Sequence, residues 1–174
     1  MLVWCTGLPG AGKSTACRAL HAEGVLTLDA DDAGLAGRRW RHDHRPVPGD
    51  VPLDWTTQEW ALDRAGVEHL RAGLEGPCVL FGFVENWGEV RALFDAVAFL
   101  DVPAHELVRR LAVRTDNHYG ERPDELAAVR RWAATEPAAY TCGGAVLIDG
   151  RADPASVAGR LLSLLAAESR PGDR

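Results

Sequence analysis

Lysine is nearly missing from this chain. Of its 19 lysine and arginine residues, one is a lysine, Lys13. The guanine-reading pattern N-K-x-D is absent, and the lone lysine is committed elsewhere. The four cysteines, Cys5, Cys17, Cys78 and Cys142, form no C-x-x-C pair and no Cys/His spacing that suits zinc. They are expected to be buried free thiols. No apolar run approaches the length of a membrane span, and the chain starts directly on an apolar run rather than on a leader. A reducing, cytoplasmic setting with no membrane partner is therefore expected. A basic surface is missing too. The formal net charge is −6 and the isoelectric point near 5.5, which disfavours nonspecific nucleic-acid binding. With no internal repeat and no linker, residues 1–174 are expected to form one domain.

What is there begins at residue 7. The string GLPGAGKST, Gly7 to Thr15, fits G-x-x-x-x-G-K-[ST], the pattern of a loop that binds the phosphates of a nucleoside triphosphate. The apolar run Leu2–Cys5 precedes it and the helix-forming stretch Ser14–Ala22 follows, which is the order such a loop requires. Gly7, Gly10 and Gly12 leave room for phosphate oxygens, and the helix N-terminus favours their charge. Lys13 brings a mobile positive charge, and Ser14 a hydroxyl suited to Mg²⁺. Pro9, Ala11 and Thr15 complete the nucleotide-binding set.

Five short apolar runs read as strands: Leu2–Cys5, Val25–Leu28, Cys78–Phe83, Val97–Leu100 and Ala145–Ile148. Helical patterns separate most of them, so an α/β fold with a parallel sheet covered on both faces is expected. Asp153 and Pro154 open a final helix with Val157, Leu161, Leu164 and Leu165 on one stripe. Another helix is expected from about Thr57 to Leu74, with Trp60, Val67, Leu70 and Leu74 along a stripe. Asp29 to Thr57 reads as a long irregular loop, and residues 115–123, TDNHYGERP, as a short mobile cover.

The second run ends in Asp29-Ala30-Asp31-Asp32, at the strand end where ligands bind in open parallel sheets. One acid there could support Mg²⁺ and another could meet an acceptor hydroxyl; an acidic turn capping the next helix is the plainer reading. Asp29 is assigned to the metal, and Asp31 with Asp32 to the acceptor. The third run lacks the metal-binding aspartate of motor-type nucleotidases. It leads instead to Gly82, which would allow close ligand approach, and to Glu85 and Asn86, which could bond a polar substrate. After the fourth run, Arg110 and Arg114 lie four apart, as if on one helical face, and suit phosphoryl oxygens. His42-Asp43-His44 lacks a third ligand and reads as polar loop. Trp40, Trp55, Trp60 and Trp87 could stack a flat substrate or pack the loop onto the core.

Taken together, GLPGAGKST, the LDADD turn, RLAVR, TDNHYGERP and LIDGRADP resemble the small P-loop kinases, the group of shikimate, gluconate and nucleoside monophosphate kinases. The resemblance implies a three-layer P-loop NTPase fold with a five-stranded parallel sheet in order 2-3-1-4-5. It implies ATP and Mg²⁺, catalysis by Lys13, Asp31 and Arg114, Arg110 by the adenine, and Gly150–Pro154 passing nearby. Residues 30–76 would hold the acceptor, with Arg39 and Asn86 among its contacts. The stretch GFVEN departs from the Gly-Gly-Gly of shikimate kinases. The expected activity is transfer of the γ-phosphoryl of ATP to a hydroxyl of a small molecule. A nucleoside monophosphate acceptor, drawing on Arg38, Arg39, Arg41 and Arg45, stays open, as does a nucleotide-binding regulator or slow ATPase.

Overall fold

The computed structural model describes residues 1–115 and 119–168. Its frame is a five-stranded parallel sheet made of β1 (Leu2–Thr6), β2 (Leu26–Asp29), β5 (Cys78–Phe81), β6 (Ala96–Asp101) and β7 (Val146–Asp149), in the order β2-β5-β1-β6-β7. Two further strands, β3 (Ala36–Trp40) and β4 (Gln58–Leu62), form a separate antiparallel hairpin. Counting only the strands of the main sheet, the order is the expected 2-3-1-4-5. The central strand β1 is wholly buried, as are all residues of β5. That is why these strands read as unbroken apolar runs.

Helices cover both faces: α1 (Lys13–Ala22), α2 (Arg64–Gly73), α4 (Ala104–Ala112), α5 (Pro123–Cys142) and α6 (Pro154–Glu168), with the short α3 (Trp87–Val90). Successive residues of β6 show the division, because side chains alternate along a strand. Phe99 meets Tyr140 of α5 at 4.8 Å between ring centroids. Its neighbour Leu100 shares a cavity with Ala16 of α1 and Val157 of α6 on the other face. The carboxyl ends of the strands therefore open onto a crevice between two helical layers. No helix among the described residues is long and apolar enough to cross a membrane.

Three expectations need correction. The stretch from Thr57 to Leu74 is not one helix. Its first part is β4, held by register pairing with β3 from Ala36↔Leu62 to Trp40↔Gln58, and α2 starts only after Asp63. Trp60 therefore sits on a strand and not on a helical stripe, because pairing with a partner strand overrode a helix-like local pattern. For the same reason the Asp29–Thr57 connection is not wholly irregular. Arg38 ties down its far end by donating to the Val51 carbonyl at 2.9 Å. The cysteines are free, but only Cys5 and Cys78 are buried; Cys17 is half-buried and Cys142 exposed.

Candidate active site

The loop Gly7–Thr15 joins β1 to α1. Its turn closes where the Ala11 N–H donates to the Leu8 carbonyl at 2.9 Å. Gly12 is the N-cap of α1 at φ 101°, a left-handed conformation that a side chain would strain. No side chain caps the first N–H groups of α1, and its first turn holds no acid. An uncapped helix N-terminus at a glycine loop is the cradle that a polyphosphate fits. Lys13 Nζ donates to the carbonyls of Gly7 at 2.5 Å and Leu8 at 3.2 Å. Burial pulls its pKa down to about 8, while Cys5, Asp29 and Asp31 push it back up and Arg114 adds to the fall. The lysine thus lies in the combined field of the two acids and Arg114. Ser14 and Thr15 are exposed at the start of α1 and Pro9 is half-buried.

Beside the loop is a cavity of about 220 Å³ whose lining includes Ala11, Gly12, Thr15, Leu100, Arg110 and Gly150. Arg110 Nη1 donates to the Gly150 carbonyl at 3.0 Å and to that of Gly10 at 3.3 Å, while its Nε bonds Glu106 at 2.8 Å. Hydrogen bonds from Arg109 and Arg110 hold the Glu106 carboxyl down to about 2. Arg110 so links the phosphate loop to the turn between β7 and α6. That turn approaches closely: a Cβ on Gly150 would meet Val102 Cγ2 at 2.6 Å and the Ala11 carbonyl at 2.9 Å.

Across the loop, Asp29 ends β2, and its carboxylate accepts the Asp31 N–H at 3.0 Å. Asp31 Oδ1 accepts from Trp60 Nε1 at 3.0 Å, so the hairpin orients this acid. Desolvation raises the Asp31 pKa; the Trp60 bond opposes that, and the charge of Asp29 adds to it. Asp32 is exposed in the same turn. Ser14, Asp29 and Asp31 offer hard oxygen donors, the set that suits Mg²⁺.

Other expected positions fall differently. On β3 and β4, Arg38 faces Trp60, and Arg39 faces Glu59 one residue further. Strand alternation sends Arg39 to the face opposite Trp60. There it bonds the His44 carbonyl at 2.9 Å and lies 3.5 Å from Asp63. It lines a second cavity of about 450 Å³ with His44, Asp63 and Asn86, and none of that cavity's lining belongs to the phosphate loop or the acidic turn. Asn86 is buried, and its side-chain amide both accepts from and donates to the backbone of Leu62, at 3.0 and 3.1 Å. Its polar capacity is spent on anchoring β4. Arg114 follows α4 rather than riding on it, with its N–H on the Leu111 carbonyl at 3.3 Å, so Arg110 and Arg114 do not share a helical face. Gly82 leaves room for protein, not ligand: a Cβ there would meet the Trp4 ring at 2.8 Å. Of the expected cover, residues 116–118 lie outside the described residues. After them, the Gly120 N–H bonds Glu125 at 2.7 Å, and α5 begins at Pro123.

Sequence reasoning missed how the end of β5 meets the hairpin and α5. Glu85, expected to bond a polar substrate, is engaged by the protein: its carboxylate accepts the Trp60 N–H at 3.2 Å and pairs with Arg41 at 2.5 Å. Phe83, just past β5, packs on Trp132 of α5 with ring centroids 5.2 Å apart. Glu136 is one turn further along α5. The four-residue spacing of Trp132 and Glu136 was the one signal available. His44 and His42 bond carboxylates of the hairpin itself, Glu59 at 2.9 Å and Asp43 at 3.4 Å. Trp87 stacks on Tyr140 in the core at 4.2 Å.

A family profile described as AAA domain matches residues 3–131. Among curated proteins, none matches the chain. Among solved structures, it is similar to a shikimate kinase from Acinetobacter baumannii in complex with shikimate. The TM-score is 0.63 at 16% identity, over 97% of this chain and 94% of that one. It is similar to a sugar kinase from Janibacter sp. HTCC2649, with TM-score 0.56 at 20% identity over 97% and 95%. It is also similar to a shikimate kinase from Aquifex aeolicus, with TM-score 0.59 at 14% identity over 99% and 100%. At these identities the likeness establishes the shared fold.

Proposed function

This chain belongs to the AAA domain family, and from that premise we propose that it is a phosphotransferase moving the γ-phosphoryl of ATP to a hydroxyl of a small molecule. The observation that carries the reading is the glycine loop, beside the Asp29–Asp31 turn, with no side chain capping the helix that starts at Lys13. The Lys13 ammonium is acted on at once by Asp29 and Asp31 at the end of β2 and by Arg114 after α4. A phosphate-binding loop thus faces a carboxylate able to take a proton.

In the proposed reaction the acceptor hydroxyl oxygen attacks the γ-phosphorus, and the bond to the bridging oxygen of ADP breaks. Asp31 takes the hydroxyl proton; its raised pKa makes it a better base than an ordinary carboxylate. Lys13 and Arg114 stabilise charge on the transferring group, and the loop amides hold the rest of the triphosphate. Ser14 and Asp29 would hold Mg²⁺, which when bound neutralises phosphate charge. Arg110 and the Gly150 turn bound the cavity that suits the adenine. Asp32, exposed beside Asp31, is proposed to help hold the acceptor. Arg39 and Asn86 are reassigned to holding the hairpin, on the bonds described above.

The test is ADP release measured with and without candidate acceptors. Lys13→Ala should lower acceptor-dependent transfer by about 10²–10³ with the circular dichroism spectrum unchanged, and Asp31→Asn by about 10²–10⁴. Full turnover in Lys13→Ala would sink the assignment. ATP hydrolysis indifferent to every acceptor would favour a regulator or slow ATPase.

A further inference from the structure

A carboxylate that takes a proton during transfer must present one oxygen to the hydroxyl and keep still. Asp31 lies in an exposed turn, but the backbone of that turn is fixed. The Ala30 N–H donates to the Phe81 carbonyl at 2.8 Å, where β5 ends, and the Asp31 N–H to the Asp29 carboxylate at 3.0 Å. The Asp31 side chain has one hydrogen-bond partner among the described residues, the Trp60 ring N–H, and it meets Oδ1. Oδ2 is left to the crevice.

Trp60 is itself held by the stretch that follows β5. The hairpin sheet has two strands, so the outward backbone groups of β4 need other partners. Glu85 and Asn86 stand in for a third strand. The Glu85 N–H donates to the Trp60 carbonyl at 2.8 Å, and Glu85 Oε1 accepts the Trp60 N–H at 3.2 Å. Asn86 makes the matching two bonds with Leu62 through its side chain. Glu85 Oε2 pairs with Arg41 at 2.5 Å, and the Arg41 N–H donates to the Thr57 carbonyl at 2.9 Å. Both carboxylate oxygens of Glu85 are thus in use, and turning either away breaks a bond.

A line of contacts therefore runs from Arg41 through Glu85 and Trp60 to Asp31. Asn86, uncharged and buried, already fastens β4 at Leu62. What Glu85 adds is the place of residue 60. The indole has only two side-chain torsions, so fixing its backbone fixes its ring N–H at little cost in entropy.

Resting on the phosphotransferase reading, we infer that Glu85 and Trp60 are positioning residues: Glu85 holds Trp60, and the Trp60 ring N–H turns Asp31 so that Oδ2 meets the acceptor hydroxyl. Neither residue touches the reacting atoms.

The test has two parts. In nitrogen–proton NMR spectra of the protein without acceptor, the indole signal lost in Trp60→Phe identifies Trp60. It should move in Asp31→Asn and in Glu85→Ala. It should stay near its place in Glu85→Gln, which keeps an oxygen for the Trp60 N–H. In ADP release with shikimate, gluconate and glucose as acceptors, Trp60→Phe and Glu85→Ala should each lower kcat about tenfold or more, with KM for ATP unchanged. Glu85→Gln should recover most of that loss. The double variant Trp60→Phe/Glu85→Ala should be no slower than Trp60→Phe, because residues acting through one another do not add; two merely structural residues would add their losses. An indole signal indifferent to Glu85→Ala would overturn the inference and leave the phosphotransferase reading standing, as would full kcat in Trp60→Phe or additive losses. If none of the three compounds stimulates ADP release, both fall.

Discussion

At Gly150 the addition of one methyl group should reach the phosphate loop directly. The Cβ would press on Val102 and on the Ala11 carbonyl, and the phosphate loop and the β7–α6 turn would have to part. Gly150→Ala is expected to raise KM for ATP about tenfold and to cost ~1–3 kcal/mol of stability, readable by steady-state kinetics and urea unfolding. Gly82→Ala should cost a similar amount through the Trp4 ring while leaving the nucleotide cavity intact. Such residues show where the sequence could be read. The phosphate loop was legible because each of its residue types answers to one chemical demand inside a short span. Arg39 and Asn86 were not. Whether an arginine on a strand faces the crevice or its back depends on register, and a one-residue difference reverses the answer.

Among the elements, the packing of α2 beside the sheet depends on Asp95. Its carboxylate accepts the Leu2 N–H at 2.7 Å and pairs with Arg71 of α2 at 2.6 Å. Burial pushes its pKa up, but the Leu2 hydrogen bond and Arg71 outweigh that and hold it below its ordinary 3.8. An acid whose folded pKa is depressed contributes stability that is fully present above its unfolded value and lost as pH falls through the folded one. Asp95→Asn should therefore cost about 1 kcal/mol at neutral pH, and the difference from the parent should fade as pH falls through the folded pKa, below the ordinary 3.8. Acid titration of unfolding free energy would check both. The strands of the sheet could be found in the sequence because burial on both faces leaves an uninterrupted apolar run. The hairpin could not. Residues of β3 and β4 pair at the price of local preference, and their contacts lie across a gap in the chain that no local window spans.

For the molecule as a whole, the net charge of −6 disfavours nonspecific binding to nucleic acid. The order of the sheet was recoverable from the resemblance of motifs spread along the chain; the contacts of the hairpin and of α5 with the end of β5 were not, because they join three distant stretches at once. The hairpin also closes on itself. Ala36 is in register with Leu62, and the Asp63 N–H reaches the Leu35 carbonyl at 2.7 Å, so the chain leaves and rejoins the main body at nearly one point. Apart from Trp60, whose ring N–H orients Asp31, the segment between can vary without shifting Lys13 or the loop that holds it. A lineage carrying this frame could alter what meets the acidic turn by exchanging a single segment, while inheriting its phosphate loop unaltered.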